Sequence, residues 1–222
     1  MINVENYLSN LIQILSRSFG NRLVYVGLQG SYLRAEATQQ SDIDVMVVVD
    51  NLSVNDLTTY RAAIQALGYF ERSCGFICSK QDLNCWNPLE IGHLLNSTKD
   101  YYGSLCELVP AYTEVDIRNF VKLSINNLYH EICHRYIHAD EDENVAKLPL
   151  SYKGVFYVLQ NLYFLMYGRY ILEKQVLLSV LDGISREVLE KSIELSIGAE
   201  YDFQQSFTLL FTWCQETLQQ LS

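Results

Sequence analysis

The sequence predicts an α+β protein of two domains: a small α/β domain with a mixed sheet over residues 1–109, then an all-α helical bundle over residues 110–222. Two observations predict it. Before Pro110, short apolar runs of strand length alternate with amphipathic stretches of helix length, as in an α/β domain. After Pro110 the strand-like runs stop and long apolar-periodic segments follow one another, as in a bundle. The 222 residues suffice for one large or two small domains, and 49% hydrophobic against 19% charged residues exclude a disordered chain.

The elements follow in order. Residues 3–19 place Tyr7, Leu8, Leu11, Ile14, Leu15 and Phe19 on one helical face, and Gly20-Asn21 supplies the stop. LVYVGL (23–28) suits a buried strand, and 31–39 reads as a short helix opening on Ser31, a good N-cap residue. DIDVMVVVD (42–50) is the clearest strand. It sets Ile43, Val45, Val47 and Val49 on one face and Asp42, Asp44, Met46, Val48 and Asp50 on the other. A helix over 54–67 ends at Gly68, a strand over 69–78 kinks at Gly75, QDLNCW (81–86) reads as a further strand, and 91–100 is helical or irregular. Beyond Pro110 a single long helix spans 113–138, ADEDEN (139–144) is an acidic loop, and a central helix runs from Ser151 to 172 behind Pro149. Residues 185–197 and 202–220 supply two more helices.

The formal net charge is −10 and no basic run occurs, which argues against a polynucleotide substrate and for a small or cationic partner. MINVENYLSN has neither a basic start nor an apolar core, and the apolar stretches stop short of a membrane span, so a cytoplasmic protein is expected. The six cysteines follow no disulfide framework and read as free, buried thiols, and Cys74, Cys78 and Cys85 lack the paired knuckles of a structural zinc site. His130, His134 and His138 recur at helical spacing and read as a polar helix face.

The chemistry concentrates in GLQGSYLRAEATQQSDIDVMVVVD, residues 27–50. Asp42 and Asp44 project from one face of a strand, roughly 6–7 Å apart at their roots. Two carboxylates at that spacing suit a hard divalent cation such as Mg²⁺ or Mn²⁺. Upstream, a strand runs into Gly30-Ser31 and a helix start, where free backbone N–H groups favour a phosphate, and Arg34 one turn later adds a charged clamp. A phosphate cradle and a metal-holding pair within thirty residues are the minimum equipment for transfer from a metal-bound nucleoside triphosphate.

Gly30-Ser31, ten intervening residues and Asp42-Ile43-Asp44 resemble the signature of the nucleotidyltransferase superfamily related to DNA polymerase beta. Arg34 and Ser41-Asp42-Ile43-Asp44 resemble the version in small bacterial nucleotidyltransferases, antibiotic-modifying ones included. A helical domain after the catalytic one is similar to the kanamycin-type aminoglycoside nucleotidyltransferases and their HEPN-like bundles. The resemblance implies Asp42 and Asp44 as catalytic metal ligands, with Gly30 and Ser31 on the terminal phosphates. It also implies attack by an acceptor hydroxyl on the α-phosphate and departure of pyrophosphate. Lys153, at a helix start, matches the lysine with which related enzymes reach the triphosphate from their helical domain. A third carboxylate is usual on a later strand, and Asp82 and Glu107 fit that place about equally.

The function expected is transfer of NMP, AMP or another, from NTP to a hydroxyl of a small molecule, for which the acidic surface suggests an aminoglycoside-like acceptor. The alternatives are a protein-directed, antitoxin-type nucleotidyltransferase and a catalytically degenerate nucleotide-binding module. A homodimer or a protein partner is left open.

Overall fold

The computed structural model describes residues 2–222, which divide into two compact units, residues 2–112 and 113–222. The first runs α1 (Val4–Phe19), β1 (Leu23–Leu28), α2 (Gly30–Leu33), β2 (Ile43–Val49), α3 (Val54–Ala66), β3 (Ser73–Ser79), α4 (Lys80–Asn84), α5 (Pro88–Asn96) and β4 (Lys99–Tyr102). The strands form one mixed sheet in the order β3-β2-β1-β4. β1 pairs antiparallel with both β2 and β4, whereas β2 and β3 are parallel. A parallel pair needs a crossover, and α3 supplies it.

β2 is the centre of this unit because both of its faces are covered. Ile43, Val45, Val47 and Val49 pack with Leu8, Leu11 and Leu15 of α1 and Ala63 of α3. Met46 and Val48 pack on the opposite side with Tyr25, Cys78, Leu83 and Leu105. Each fully buried valine contributes about 1.5–3 kcal/mol, so the strand is anchored along its length up to Asp44. At the far end of β2 the Arg22 guanidinium grips Asp56 at the start of α3, at 2.7 and 3.1 Å. That pairing holds the Asp56 carboxyl well below the usual carboxylate range.

Several local expectations give way. The segment 81–86 is helical: the Ser79 hydroxyl accepts the Asp82 N–H at 3.0 Å while Asp82 Oδ2 accepts the Ser79 N–H at 3.0 Å. This reciprocal cap starts α4 where apolar alternation suggested a strand. The remaining strand is β4, whose polar KDYY sits at the sheet edge. The helix expected over 31–39 is a single turn that begins at Gly30 behind Gln29, so Ser31 lies inside it, and the left-handed Ala35 (φ 57°) follows its end.

The second unit comprises α6 (Glu114–His138), α7 (Glu141–Tyr152), α8 (Val155–Tyr167), α9 (Lys174–Val180), α10 (Gly183–Ser196) and α11 (Phe203–Gln220). The acidic run is the start of α7. Asp140 caps it by accepting the Glu143 N–H at 2.8 Å, and Glu141, Asp142 and Glu143 suit the positive end of the helix. Pro149 lies within α7, and the long helix expected from 151 to 172 is divided between α7 and α8, the latter ending at the left-handed Gly168. Ile125, Ile132, Leu148, Tyr152, Phe156, Leu159 and Trp213 build the core, and the Tyr152 hydroxyl donates to the Ser206 carbonyl at 2.7 Å. Trp213 is fully buried, while Trp86 of the first unit stacks on Phe76 with centroids 5.9 Å apart. Among the described residues no helix is long and apolar enough to cross a membrane.

Candidate active site

The site is assembled where β1 turns away and β2 begins. The Gln29 N–H donates to the Asp44 carbonyl at 2.9 Å, which continues the β1–β2 ladder one step into the turn. Gly30 follows with φ +70°, and a Cβ there would fall 1.8 Å from Asp44 Oδ2. The Asp44 carboxylate therefore lies directly against the Gly30 backbone, in a space that only glycine leaves open. Ser31 sits in the one-turn α2 that follows, so the backbone N–H groups here belong to a tight turn.

Asp42 is exposed and precedes β2, while Asp44 is half-buried on its second residue. The chain just before Asp42 is fixed from the neighbouring segment: Arg72 donates to the Ser41 carbonyl from Nε at 3.2 Å and from its terminal nitrogen at 2.6 Å. Burial pushes the Asp44 carboxyl up, a hydrogen bond with Cys74 opposes this, the Asp42 charge adds to it, and Arg34 opposes it. Arg34 is half-buried, donates from Nε to Glu36 Oε2 at 2.9 Å, and projects its charge onto both Asp44 and His93. Burial, helped by Arg34, lowers His93 to about 4.

Two residues that sequence reasoning did not place here are Arg72 and Cys74. Cys74 is opposite Asp44 in the parallel β2–β3 register and hydrogen-bonds with it. It is an exposed thiol, as are Cys85 and Cys106, which corrects the expectation of buried cysteines; Cys78 and Cys214 are buried as expected. Nothing local in SCGFICS signals the pairing, because it depends on a strand thirty residues away.

The strand positions expected for a third carboxylate are not realised. Asp82 is committed to the cap of α4, and Glu107 lies in the turn Leu105–Glu107. Asp100, on β4, accepts from the Tyr25 hydroxyl at 2.6 Å and from the Leu105 N–H at 3.4 Å. Among the described residues no three His, Cys, Asp or Glu side chains gather into a metal-holding group. Asp42 and Asp44 thus fit a hard cation as two oxygen-bearing anchors, with the remaining coordination left to a ligand. Lys153 belongs to the second unit, where it is exposed at the end of α7. It lines a cavity of ≈ 400 Å³ with Lys174, Phe156, Ser192 and Ser196.

Residues 8–86 match the family model described as the nucleotidyltransferase domain. Among solved structures, the spectinomycin adenyltransferase from Enterococcus faecialis, determined with ATP and spectinomycin, is similar in fold with a TM-score of 0.60. It is 15% identical, over 97% of this chain and 99% of that one. A nucleotidyltransferase-like protein from Exiguobacterium sibiricum 255-15 aligns at 14% identity over 96% of this chain and 74% of that one, with a TM-score of 0.38. None of the curated proteins matches the chain. The Gly-Ser turn and the aspartate pair both fall inside the matched span, and residues 8–86 thus carry the nucleotidyltransferase domain.

Proposed function

We propose that the enzyme transfers a nucleoside monophosphate, AMP foremost, from a nucleoside triphosphate to a hydroxyl of a small molecule. The observation that carries this reading is the Asp44 carboxylate held half-buried against Gly30, with the Asp42 charge near enough to act on it. Desolvation and the neighbouring charge both disfavour that arrangement in the ionised form, and a bound divalent cation relieves both.

In this reading the Gly30 and Ser31 backbone N–H groups donate to the terminal phosphates, and Arg34 adds positive charge beside them. Asp42 and Asp44 would hold Mg²⁺ or Mn²⁺, which would supply Lewis-acid polarisation of the α-phosphate. The acceptor oxygen forms a bond to the α-phosphorus, the bond to the β-phosphate oxygen breaks, pyrophosphate leaves with the electron pair, and the acceptor proton passes to solvent. Lys153 is proposed as a further nucleotide-binding residue.

The acceptor is proposed to be cationic and aminoglycoside-like. The net charge of −10 supports this, as does the likeness in fold to an enzyme solved with ATP and spectinomycin. The test is binding of labelled ATP with Mg²⁺ or Mn²⁺, followed by pyrophosphate release with a panel of hydroxyl-bearing acceptors that includes aminoglycosides. Absence of ribonucleotide binding with either metal would overturn the reading. Intact binding with silence across all acceptors would favour a nucleotide-binding interaction module.

A further inference from the structure

The aspartate site has two lateral walls within the sheet. On the β1 side stands Gln29, whose N–H donates to the Asp44 carbonyl. On the β3 side stands Cys74, in register with Asp44 and hydrogen-bonded to its carboxylate. Neighbouring strands lie about 4.8 Å apart, so the position that Cys74 fills is the one from which a side chain of β3 reaches the same ligand as Asp44. The register is locked beside it: a Cβ on Gly75 (φ +114°) would fall 2.0 Å from the Val45 carbonyl oxygen, so β3 is drawn tightly onto β2 at this point. The other carboxylates that sequence suggests or the sheet carries nearby, Asp82 and Asp100, are held by partners of their own.

We infer that Cys74 closes the third side of the aspartate pair and makes it a one-cation site, able to take the metal that arrives with the nucleotide but not a second beside it. The inference rests on the reading of Asp42 and Asp44 as metal anchors. Two divalent cations held about 3.5–4 Å apart repel strongly and require bridging anionic oxygens from the protein. A thiol that hydrogen-bonds with Asp44 contributes no such oxygen, and it occupies a share of the carboxylate that a second cation would need. Cys74 thereby determines the metal stoichiometry of the site.

The test counts protein-bound Mn²⁺ by electron paramagnetic resonance after equilibrium dialysis against Mn²⁺ and a non-hydrolysable ATP analogue. The expected ratio of Mn²⁺ to retained nucleotide is one for the native protein and for Cys74→Ser, which keeps a hydrogen-bond donor. It rises to two for Cys74→Asp or Cys74→Glu. A native ratio of two overturns the inference, as does a ratio that stays at one in both acidic variants when circular dichroism shows them folded. Native protein that retains nucleotide without any Mn²⁺ removes instead the metal role of Asp42 and Asp44.

Discussion

Gly30 and Asp44 determine each other's placement: the carboxylate occupies the volume where any side chain at residue 30 would begin, 1.8 Å from Oδ2. Gly30→Ala must therefore displace the aspartate or reopen the turn, and it forces a left-handed backbone (φ +70°) on a residue with a Cβ. The backbone penalty alone is about 1–2 kcal/mol. The expected outcome is a lowered melting temperature together with at least a tenfold loss of Mg²⁺-ATP affinity, both read on the same sample by scanning and titration calorimetry.

Asp44 itself is expected to show opposed effects on stability and binding. Its folded carboxyl is raised by burial above the unfolded value, so ionisation costs stability near neutral pH, and the cost fades as pH falls from the folded value towards the unfolded one. Asp44→Asn should raise the melting temperature of the nucleotide-free protein at pH 7 by a few degrees. The gain should shrink on acidification, while metal-dependent nucleotide binding is lost. A variant less stable than the native protein at pH 7 would contradict this.

Arg72 grips the carbonyl that immediately precedes Asp42. Charge-assisted hydrogen bonds of this kind contribute about 1.5–3 kcal/mol. Arg72→Ala should weaken Mg²⁺-ATP binding about tenfold, equivalent to about 1.4 kcal/mol, by loosening the backbone that aims Asp42. Arg72→Lys, able to keep one donor, should recover some of the affinity. Equal affinity in all three proteins would confine Arg72 to a structural role.

Asp82 offers the converse case. Because its carboxylate caps α4, Asp82→Ala should lower stability modestly and leave nucleotide affinity and pyrophosphate release unchanged. A collapse of turnover with native affinity would return Asp82 to the catalytic machinery.

His93 gives the first unit a defined acid sensitivity. Its folded value of about 4 lies below the ordinary 6.5, chiefly through burial. The unfolded chain therefore binds the proton first as pH falls, and stability declines between about 6.5 and 4, by up to about 3 kcal/mol. His93→Gln should flatten the denaturation midpoint of this unit across that window.

What the residues revealed depended on how local the cause was. β2 was legible because its alternation and its bordering aspartates lie within nine residues, and the Gly30 turn because glycine is needed where it stands. The pairing of Cys74 with Asp44 was not, since parallel register is settled by the crossover through α3 and by the close approach at Gly75. QDLNCW misled because a Ser-x-x-Asp cap outweighs a brief apolar alternation. ADEDEN misled for a related reason: acidic residues that look like a solvated loop are also what the first turn of a helix attracts.

The two tryptophans of the chain fall one to each unit, Trp86 against Phe76 beside the sheet and Trp213 in the helical core with its indole N–H unpartnered. Intrinsic fluorescence is thereby a separate reporter on each half. Trp86→Phe would isolate the blue-edge emission of the bundle, and Trp213→Phe the signal from the nucleotidyltransferase domain. Denaturation curves of the two variants would then distinguish halves that melt together from halves that melt in sequence.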